Sequence, residues 1–158
     1  MDAYTDLLDK YRFDQDWTYV GRGQNGSVYR KGEEVIKITT DEVELEHAEK
    51  VNGKKFNSLT PIYDLGIHTP NLGTYKMPNM QPAPPQVKSA IDKKYLEITE
   101  YIETKDESLL DGLPEQLKKF FKQVRIDFQR AGIPLDETDI QGDNVMVDAS
   151  GKIKLIDY

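Results

Sequence analysis

The stretch Val20–Tyr29, VGRGQNGSVY, decides the fold of this chain. It contains the pattern G-x-G-x-x-G, from Gly21 to Gly26, with Val28 two residues beyond it. Glycine is required where backbone amides must approach phosphate oxygens, because a Cβ atom would block the approach. Short β-branched and aromatic runs flank the glycines, and Lys31–Glu34 is typical of a tight turn. The stretch therefore predicts a glycine-rich loop on a β-hairpin.

Two well-known phosphate-binding loops carry similar glycines, and neither fits. A dinucleotide-binding loop needs a helix directly after its last glycine, but Ser27–Arg30 leads into a turn and another strand. A P-loop needs a lysine after its GxxxxG run, and this chain has Ser27 there. The pattern GxGxxGxV, in which strands flank the loop, does fit. For this motif alone, a glycine-rich turn without a ligand stays an alternative.

Lys37 follows one hairpin later, in the β-branched run Val35–Ile38. These neighbours predict a strand. A lysine in such a strand projects either into a cleft, where it can bind phosphate, or into solvent, as is common on edge strands.

A third pattern, D-x-x-x-x-N, runs from Asp139 to Asn144 near the other end of the chain, and Asp157 follows thirteen residues later. Val145–Val147 and Ile153–Ile156 enclose a turn and predict a β-hairpin. A hairpin brings the residue before its first strand close to the residue after its second. Asn144 and Asp157 can therefore reach one cation, and their oxygen atoms suit Mg²⁺. Ordinary turn and cap residues are the alternative interpretation.

The rest of the chain predicts mainly helices. Apolar spacing favours a short helix over residues 2–11, one over residues 41–51 and one from Val87 to Ile102. A stronger helix is expected from Pro114 to Gly132. Its apolar face is expected to consist of Leu117, Phe120, Phe121, Val124, Phe128 and Ala131. Pro78–Pro85 holds four prolines and predicts a linker.

Composition limits the classes of function. The 158 residues include 28 acidic and 21 basic side chains, a net charge of −7, and fit one domain or two small lobes. The absence of cysteine excludes disulfides and thiol catalysis, and His47 and His68 are too few for a multi-histidine metal site. The acidic balance argues against nucleic acid. With no long apolar run and no signal peptide, we expect no membrane contact and a cytoplasmic protein.

Taken in order, these motifs resemble the protein-kinase-like superfamily, which includes small-molecule kinases and atypical kinases. The matching stretches are Val20–Tyr29, Val35–Ile38, Asp139–Val147 and Ile153–Tyr158. The resemblance implies an α+β, bilobal fold with ATP between the lobes. Residues 1–80 would form an antiparallel-sheet N-lobe with one helix, and residues 81–158 a reduced, mainly helical C-lobe.

The resemblance also implies a role for each motif residue. Lys37 would contact the α- and β-phosphates of ATP, and Asp139 would orient or deprotonate the acceptor hydroxyl. Asn144 and Asp157 would hold Mg²⁺. The other residues expected at the nucleotide are Gly21, Gly23, Gly26 and Val28 from the loop, and Met77 and Met80 from the hinge.

A helix glutamate is expected to hold Lys37. In the family, packed positions follow this glutamate three, four and seven residues later. Glu44 gives His47, Ala48 and Val51 at those positions, whereas Glu46 gives less suitable residues. We therefore expect Glu44, with Glu46 as the second choice.

The hinge has two candidate positions. Ile98–Ile102 resembles a hinge strand in composition. Met77–Met80 directly follows a predicted strand pair, residues 61–67 with 74–77, and agrees with the short Lys37-to-glutamate spacing. We place the hinge at Met77–Met80, with backbone groups contacting adenine.

The chain departs from the family pattern in places. Glu137-Thr138 replaces the usual His-Arg, and Tyr158 replaces the Phe of D-F-G. We therefore expect a chain without an activation segment. The acceptor would be held by the helices in 86–132, by a partner protein or by a second copy of the chain. We predict an ATP- and Mg²⁺-dependent kinase acting on a hydroxyl of a protein or small molecule. The alternatives are a pseudokinase-like, nucleotide-binding regulator and an interaction protein without nucleotide.

Overall fold

The computed structural model describes residues 3–12, 16–22, 26–138, 140–156 and 158. The chain divides into two units. The first contains Met1–Lys54 and Pro61–Asn79, and the second contains Lys55–Thr60 and Met80–Tyr158. The short segment Lys55–Thr60 thus belongs with the second unit, although it connects a helix and a strand of the first.

A five-stranded antiparallel sheet is the centre of the first unit. Its strands are β1 (Thr18–Arg22), β2 (Gly26–Lys31), β3 (Glu34–Thr39), β4 (Tyr63–Thr69) and β5 (Leu72–Pro78). They lie in the order β1-β2-β3-β5-β4. Gly32 has a φ of 60° in the predicted turn between β2 and β3, a conformation that glycine adopts easily. The register sets Val28 opposite Lys37, and Lys37 opposite Tyr75. These side chains therefore share one face of the sheet.

Two helices, α1 (Ala3–Arg12) and α2 (Glu42–Val51), complete the first unit. Both were predicted as helices, although the lobe itself was expected to have one. The side chains of α1 pack on a cluster formed by Tyr29, Ile36, Ile38 and Leu72. Helix α2 begins after Asp41, whose carboxylate accepts hydrogen bonds from the amides of Val43 and Glu44 at 2.9 and 3.1 Å. Such N-cap bonds satisfy amides that have no partner within the helix.

The second unit is mainly helical. Its α-helices are α3 (Pro85–Lys93), α4 (Tyr95–Thr104) and α5 (Glu115–Ala131). The prediction of one helix from Val87 to Ile102 is wrong, because the helix is interrupted at Lys94. The amide of Lys94 donates to the carbonyl of Ile91. No glycine or proline marks this break. Helix α5 ends as predicted at Gly132, with a φ of 79°. Its predicted apolar face is buried in full: Leu117, Phe120, Phe121, Val124, Phe128 and Ala131.

A small antiparallel sheet joins parts of the second unit that are distant in sequence. Its strands are β6 (Gln81–Pro82), β7 (Val145–Val147) and β8 (Ile153–Leu155), in that order. The β7–β8 hairpin was predicted, and Gly151 turns it with a φ of 85°. The linker prediction for the proline-rich segment is wrong at Gln81–Pro82, which pair with β7. An edge strand tolerates proline because it needs fewer amide donors.

The segment Lys55–Thr60 is attached to β8 and to α5. The Leu155 amide donates to the Ser58 carbonyl at 2.7 Å, and the Thr60 amide donates to the Leu155 carbonyl at 2.9 Å. Ser58 also donates to Asp127 on α5 through its amide and its hydroxyl, at 2.9 and 2.6 Å. Asp127 is fully buried, and Gln123 donates to its second oxygen at 2.9 Å. These donors compensate for the removal of the carboxylate from water.

The predicted α+β fold class is confirmed, with an antiparallel sheet in the first unit and a mainly helical second unit. Among the helices that the structure describes, none combines the length and the apolar character needed to cross a membrane.

Gly26 is a glycine that the sheet itself requires. A Cβ atom at Gly26 would lie 2.1 Å from the carbonyl oxygen of Ile38 on β3, whereas one at Gly21 would meet no described atom within 4 Å. We therefore expect Gly26→Ala to lower the free energy of unfolding by about 1–3 kcal/mol, because backbone atoms must move. Urea unfolding of the full chain measures this. Gly21→Ala is the control, and equal losses in the two variants would contradict the stated contact.

Candidate functional site

Lys37 is in the middle of β3, and its ammonium group forms an ion pair with Glu44 on α2. The Nζ–Oε1 distance is 2.6 Å, and the two side chains are only 13% and 12% exposed. Charge-assisted hydrogen bonds of this length are strong, and low exposure to solvent limits screening. The ion pair therefore fixes the position of the Lys37 ammonium group.

The carboxylate of Glu44 is itself held by two hydroxyl groups. Tyr75 on β5 donates to Oε1 at 2.5 Å, and Thr39 on β3 donates to Oε2 at 2.9 Å. Both of these side chains are buried. The Thr39 hydroxyl in turn accepts from the amide of Asp41, the N-cap of α2, at 3.1 Å. One carboxylate thus ties together β3, β5 and the first turn of α2.

The structure pairs Lys37 with Glu44 and leaves Glu46 exposed. Tyr75 and Thr39 were absent from the sequence-based set of site residues. Period-two alternation along β5 and β3 indicates that they share a face with Lys37, but it does not reveal a contact with α2. A direct role of Lys37 towards phosphate stays a prediction.

The glycine-rich stretch is described only in part. Gly21 ends in β1 and Gly26 begins β2, while Gly23 lies outside the described residues. Ser27 is buried and its hydroxyl lies 3.1 Å from the hydroxyl of Tyr4 on α1. Val28 is half-buried on the same face as Lys37. The strands on both sides of the loop are thus as the motif requires, and phosphate contact stays a prediction.

The hinge alternative at Ile98–Ile102 lies inside α4 and is therefore not a strand. Met77 is buried near the end of β5, and the Asn79 amide donates to the carbonyl of Glu33 at 2.8 Å. Met80 is buried in the second unit, where its sulfur accepts a hydrogen bond from Thr60 at 3.7 Å. Contact of Met77 or Met80 with adenine stays a prediction.

In the second unit, the segment between Asp139 and the β7–β8 hairpin forms a short 3₁₀ turn, Gly142–Asn144. The backbone carbonyl of Asn144 accepts from the amide of Ile156 at 2.7 Å. The predicted hairpin thus brings Asn144 beside the residue that precedes Asp157 in the sequence.

Asp139 and Asp157 themselves lie outside the described residues. Among the residues described, no group of three or more acidic or histidine side chains could hold a metal ion. Because two of the three predicted acidic or amide groups are not among them, this result leaves the Mg²⁺ prediction open.

Asp148 shapes the turn of the same hairpin. Its carboxylate accepts from the Ser150 hydroxyl at 2.6 Å and from the amides of Ser150 and Lys152, both at 2.9 Å. The Ser150 hydroxyl bond, and after it these backbone bonds, lower the pKa of Asp148 below its usual value, although desolvation opposes them. The ionised form is therefore the one that the folded hairpin prefers.

Comparison with known proteins gives a likeness of fold only. No family model matches the chain, and no curated protein matches it. Two solved structures of aminoglycoside phosphotransferase APH(4)-Ia are similar to it. The first is a thermostable mutant in a ternary complex with ADP and hygromycin B, with 12% identity over 99% of this chain and 70% of that chain, and a TM-score of 0.40. The second has 12% identity over 97% of this chain and 69% of that chain, and a TM-score of 0.41. Likeness at this level carries no argument about activity or substrate.

Glu44 can be tested against Glu46, a second glutamate on the same helix that differs from it in solvent exposure. Glu44→Gln removes the charge that compensates Lys37, so we expect the free energy of unfolding to fall by about 2 kcal/mol. Glu46→Gln, at an exposed position, should change it by less than about 0.5 kcal/mol. Chemical denaturation of both variants measures the difference. A stability of Glu44→Gln equal to that of Glu46→Gln would be inconsistent with the buried pair.

The lowered pKa of Asp148 gives a dependence of stability on pH. Its ionised carboxylate stabilises the fold above the unfolded-state pKa of about 3.9, and this contribution is lost as pH falls through the lower folded-state pKa. We expect Asp148→Ala to cost at most about 1 kcal/mol at pH 7, with the gap to wild type closing below about pH 4. Thermal unfolding across this range checks it. Asp111→Ala, at an exposed position, is the control, and a gap that stays constant with pH would refute the explanation.

Proposed function

We propose that this chain is an ATP- and Mg²⁺-dependent phosphotransferase that transfers the γ-phosphate to a hydroxyl group of a protein or small molecule. The observation that carries this proposal is the ion pair between Lys37 and Glu44, with a distance of 2.6 Å. It joins a central strand to the helix that follows, and it lies on the face of the sheet that also carries Val28. A lysine held in this way binds phosphate as a fixed point charge.

The burial of the pair supports a chemical task. Two charges withdrawn from water are costly, and an apolar pair of similar volume is often as stable or more stable. Stability alone therefore gives little reason for a lysine at position 37 and a glutamate at position 44. Binding of the α- and β-phosphates of ATP would be a reason to keep this pair, because the Lys37 ammonium group would then contact a phosphate anion in addition to Glu44.

The glycine-rich loop would cover the same phosphates. Its backbone amides can approach phosphate oxygens closely at Gly21, Gly23 and Gly26, where no Cβ atom intervenes. Packing also requires glycine at position 26, because the backbone of β3 leaves no space for a side chain there. The two requirements are compatible, because the close packing of Gly26 fixes the start of β2, where the loop ends.

Two residues of the second unit, Asn144 and Asp157, would hold the magnesium ion. Asn144 offers an amide oxygen, and the hairpin brings it beside the residue preceding Asp157, whose carboxylate would be the second ligand. Few protein ligands, completed by phosphate oxygens and water, are usual for this ion. When bound, Mg²⁺ neutralises charge on the phosphates and orients them.

Asp139 would act on the acceptor. Its carboxylate orients the hydroxyl and takes its proton while the hydroxyl oxygen forms a bond to the γ-phosphorus. The bond from that phosphorus to the oxygen bridging the β- and γ-phosphates breaks at the same time, and ADP leaves. Lys37 stabilises the negative charge on the phosphates of the leaving ADP, which is where the protein contributes most in this type of reaction.

The test measures transfer of labelled phosphate from ATP, to the chain itself and to protein and small-molecule hydroxyl acceptors. We expect wild type to transfer phosphate only with Mg²⁺. Asp139→Asn, Asp157→Asn and Lys37→Met should each lose at least about a hundredfold in rate. Asp111→Asn, an exposed position, is the matched control and should keep the wild-type rate.

A second measurement separates this function from binding alone. ATP with Mg²⁺ at 100 times Kd should stabilise the chain by about 2.7 kcal/mol. Stabilisation by ATP without phosphate transfer would refute the phosphotransferase function and would indicate a nucleotide-binding regulator. If ATP with Mg²⁺ gives no stabilisation and no phosphate transfer, nucleotide binding itself is refuted.

A further inference from the structure

Helix α3 contacts the turn that follows Asp139, and it does so through residues that lie one helical turn apart. The amide of Gly142 donates to the Oδ1 atom of Asp92 at 2.8 Å. Lys88 forms an ion pair with Asp143 at 3.1 Å. Residues four apart lie on the same face of a helix, so one face of α3 carries both contacts.

The backbone of the turn lies against α3 so closely that only glycine fits at position 142. A Cβ atom at Gly142 would lie 2.7 Å from the carbonyl oxygen of Lys88 and 2.9 Å from its Cα atom. Gly142 is buried. Its amide is therefore removed from water and depends on an acceptor in the protein, which Asp92 supplies.

The other side of the turn is held by the hairpin. The Asn144 amide donates to the carbonyl of Gln141 at 3.0 Å, and the Asn144 carbonyl accepts from Ile156 at 2.7 Å. The backbone between Gln141 and Asn144 thus has hydrogen bonds within the turn, to the end of β8 and to α3. The bond to α3 is made by an ionisable side chain, that of Asp92.

We propose that Asp92 is a positioning residue for phosphoryl transfer: by accepting the Gly142 amide, it fixes the loop backbone that carries Asp139 and Asn144. This inference rests on the proposed function. Asp139 precedes Gly142 by three residues and Asn144 follows it by two. A hydrogen bond from a buried amide to a carboxylate is charge-assisted and directional, and small displacements of reacting groups cost large factors in rate.

The Lys88–Asp143 ion pair is the weaker of the two contacts. Its side chains are 31% and 83% exposed, and exposed ion pairs contribute little. Asp92 is also an exposed residue, but its Oδ1 atom accepts from the amide of the buried Gly142, and this bond carries the role. Lys88 serves mainly through its backbone, which sets how close α3 and the turn approach.

The kinetic test compares three variants of the full chain with wild type, at a temperature at which all are folded. Asp92→Ala removes the acceptor and should lower kcat by roughly tenfold to a hundredfold, while KM for ATP changes less than about threefold. Asp92→Asn keeps an oxygen acceptor and should recover most of kcat. Lys93→Ala, at an exposed position one residue further along α3, should keep wild-type values.

A structural measurement runs in parallel and does not need activity. Hydrogen exchange of the Gly142 amide, followed by NMR, should be about tenfold faster in Asp92→Ala than in wild type, and close to wild type in Asp92→Asn. The amides of α5 should exchange at unchanged rates in both variants. This pattern separates a local loss of the contact from general destabilisation.

Three results would overturn the proposal. Unchanged Gly142 exchange in Asp92→Ala would mean that Asp92 does not hold the loop. Faster exchange with unchanged kcat would mean that the contact is only structural, and so would a loss of kcat that Asp92→Asn does not recover. If wild type transfers no phosphate at all, the proposed function fails and the catalytic purpose of the contact fails with it. Gly142 exchange would in that case still report whether Asp92 holds the turn.

Discussion

The carboxylate of Glu44 is the group on which the polar interior of the first unit depends. It is 12% exposed and accepts from an ammonium group and two hydroxyls, those of Tyr75 and Thr39. A buried ion pair is tolerated only when its remaining hydrogen-bonding capacity is used, and here the two hydroxyls use it. Because the donors come from β3 and β5 and the acceptor from α2, a displacement of the helix would leave Lys37 with an uncompensated charge. The position of the lysine is therefore set by the fold itself.

The second unit solves a similar problem with Asp127. This carboxylate is fully buried on α5, and its donors are the amide and hydroxyl of Ser58 and the amide group of Gln123. Ser58 is 69 residues away in the sequence. In both units a carboxylate with little or no exposure to solvent joins parts of the chain that are distant in sequence through directional hydrogen bonds, whereas apolar contacts are non-directional. Directional bonds to a charged group select one arrangement among several that bury the same surface.

Local patterns in the sequence predicted the elements whose form depends on near neighbours. The strands around the glycine-rich loop, the apolar face of α5 and the β7–β8 hairpin follow from periodicity and turn residues. The choice of Glu44 rested on packed positions at His47, Ala48 and Val51, and all three are buried. The pairing of Gln81–Pro82 with β7 was not predictable, because β7 is distant in the sequence. The end of α3 at Lys94 was not predictable either, because neither glycine nor proline stands there. The same holds for Tyr75 and Asp92, whose partners are 31 and 50 residues away.

The residues found by motif and the residues found only in the structure differ in kind. Motif residues such as Lys37 and Asn144 are those that would touch a nucleotide or its cation, and their spacing is constrained by that chemistry. Tyr75, Thr39 and Asp92 would touch neither; they set the position of groups that do. A supporting contact can be made from any element that happens to pass nearby, so it leaves no fixed spacing in the sequence.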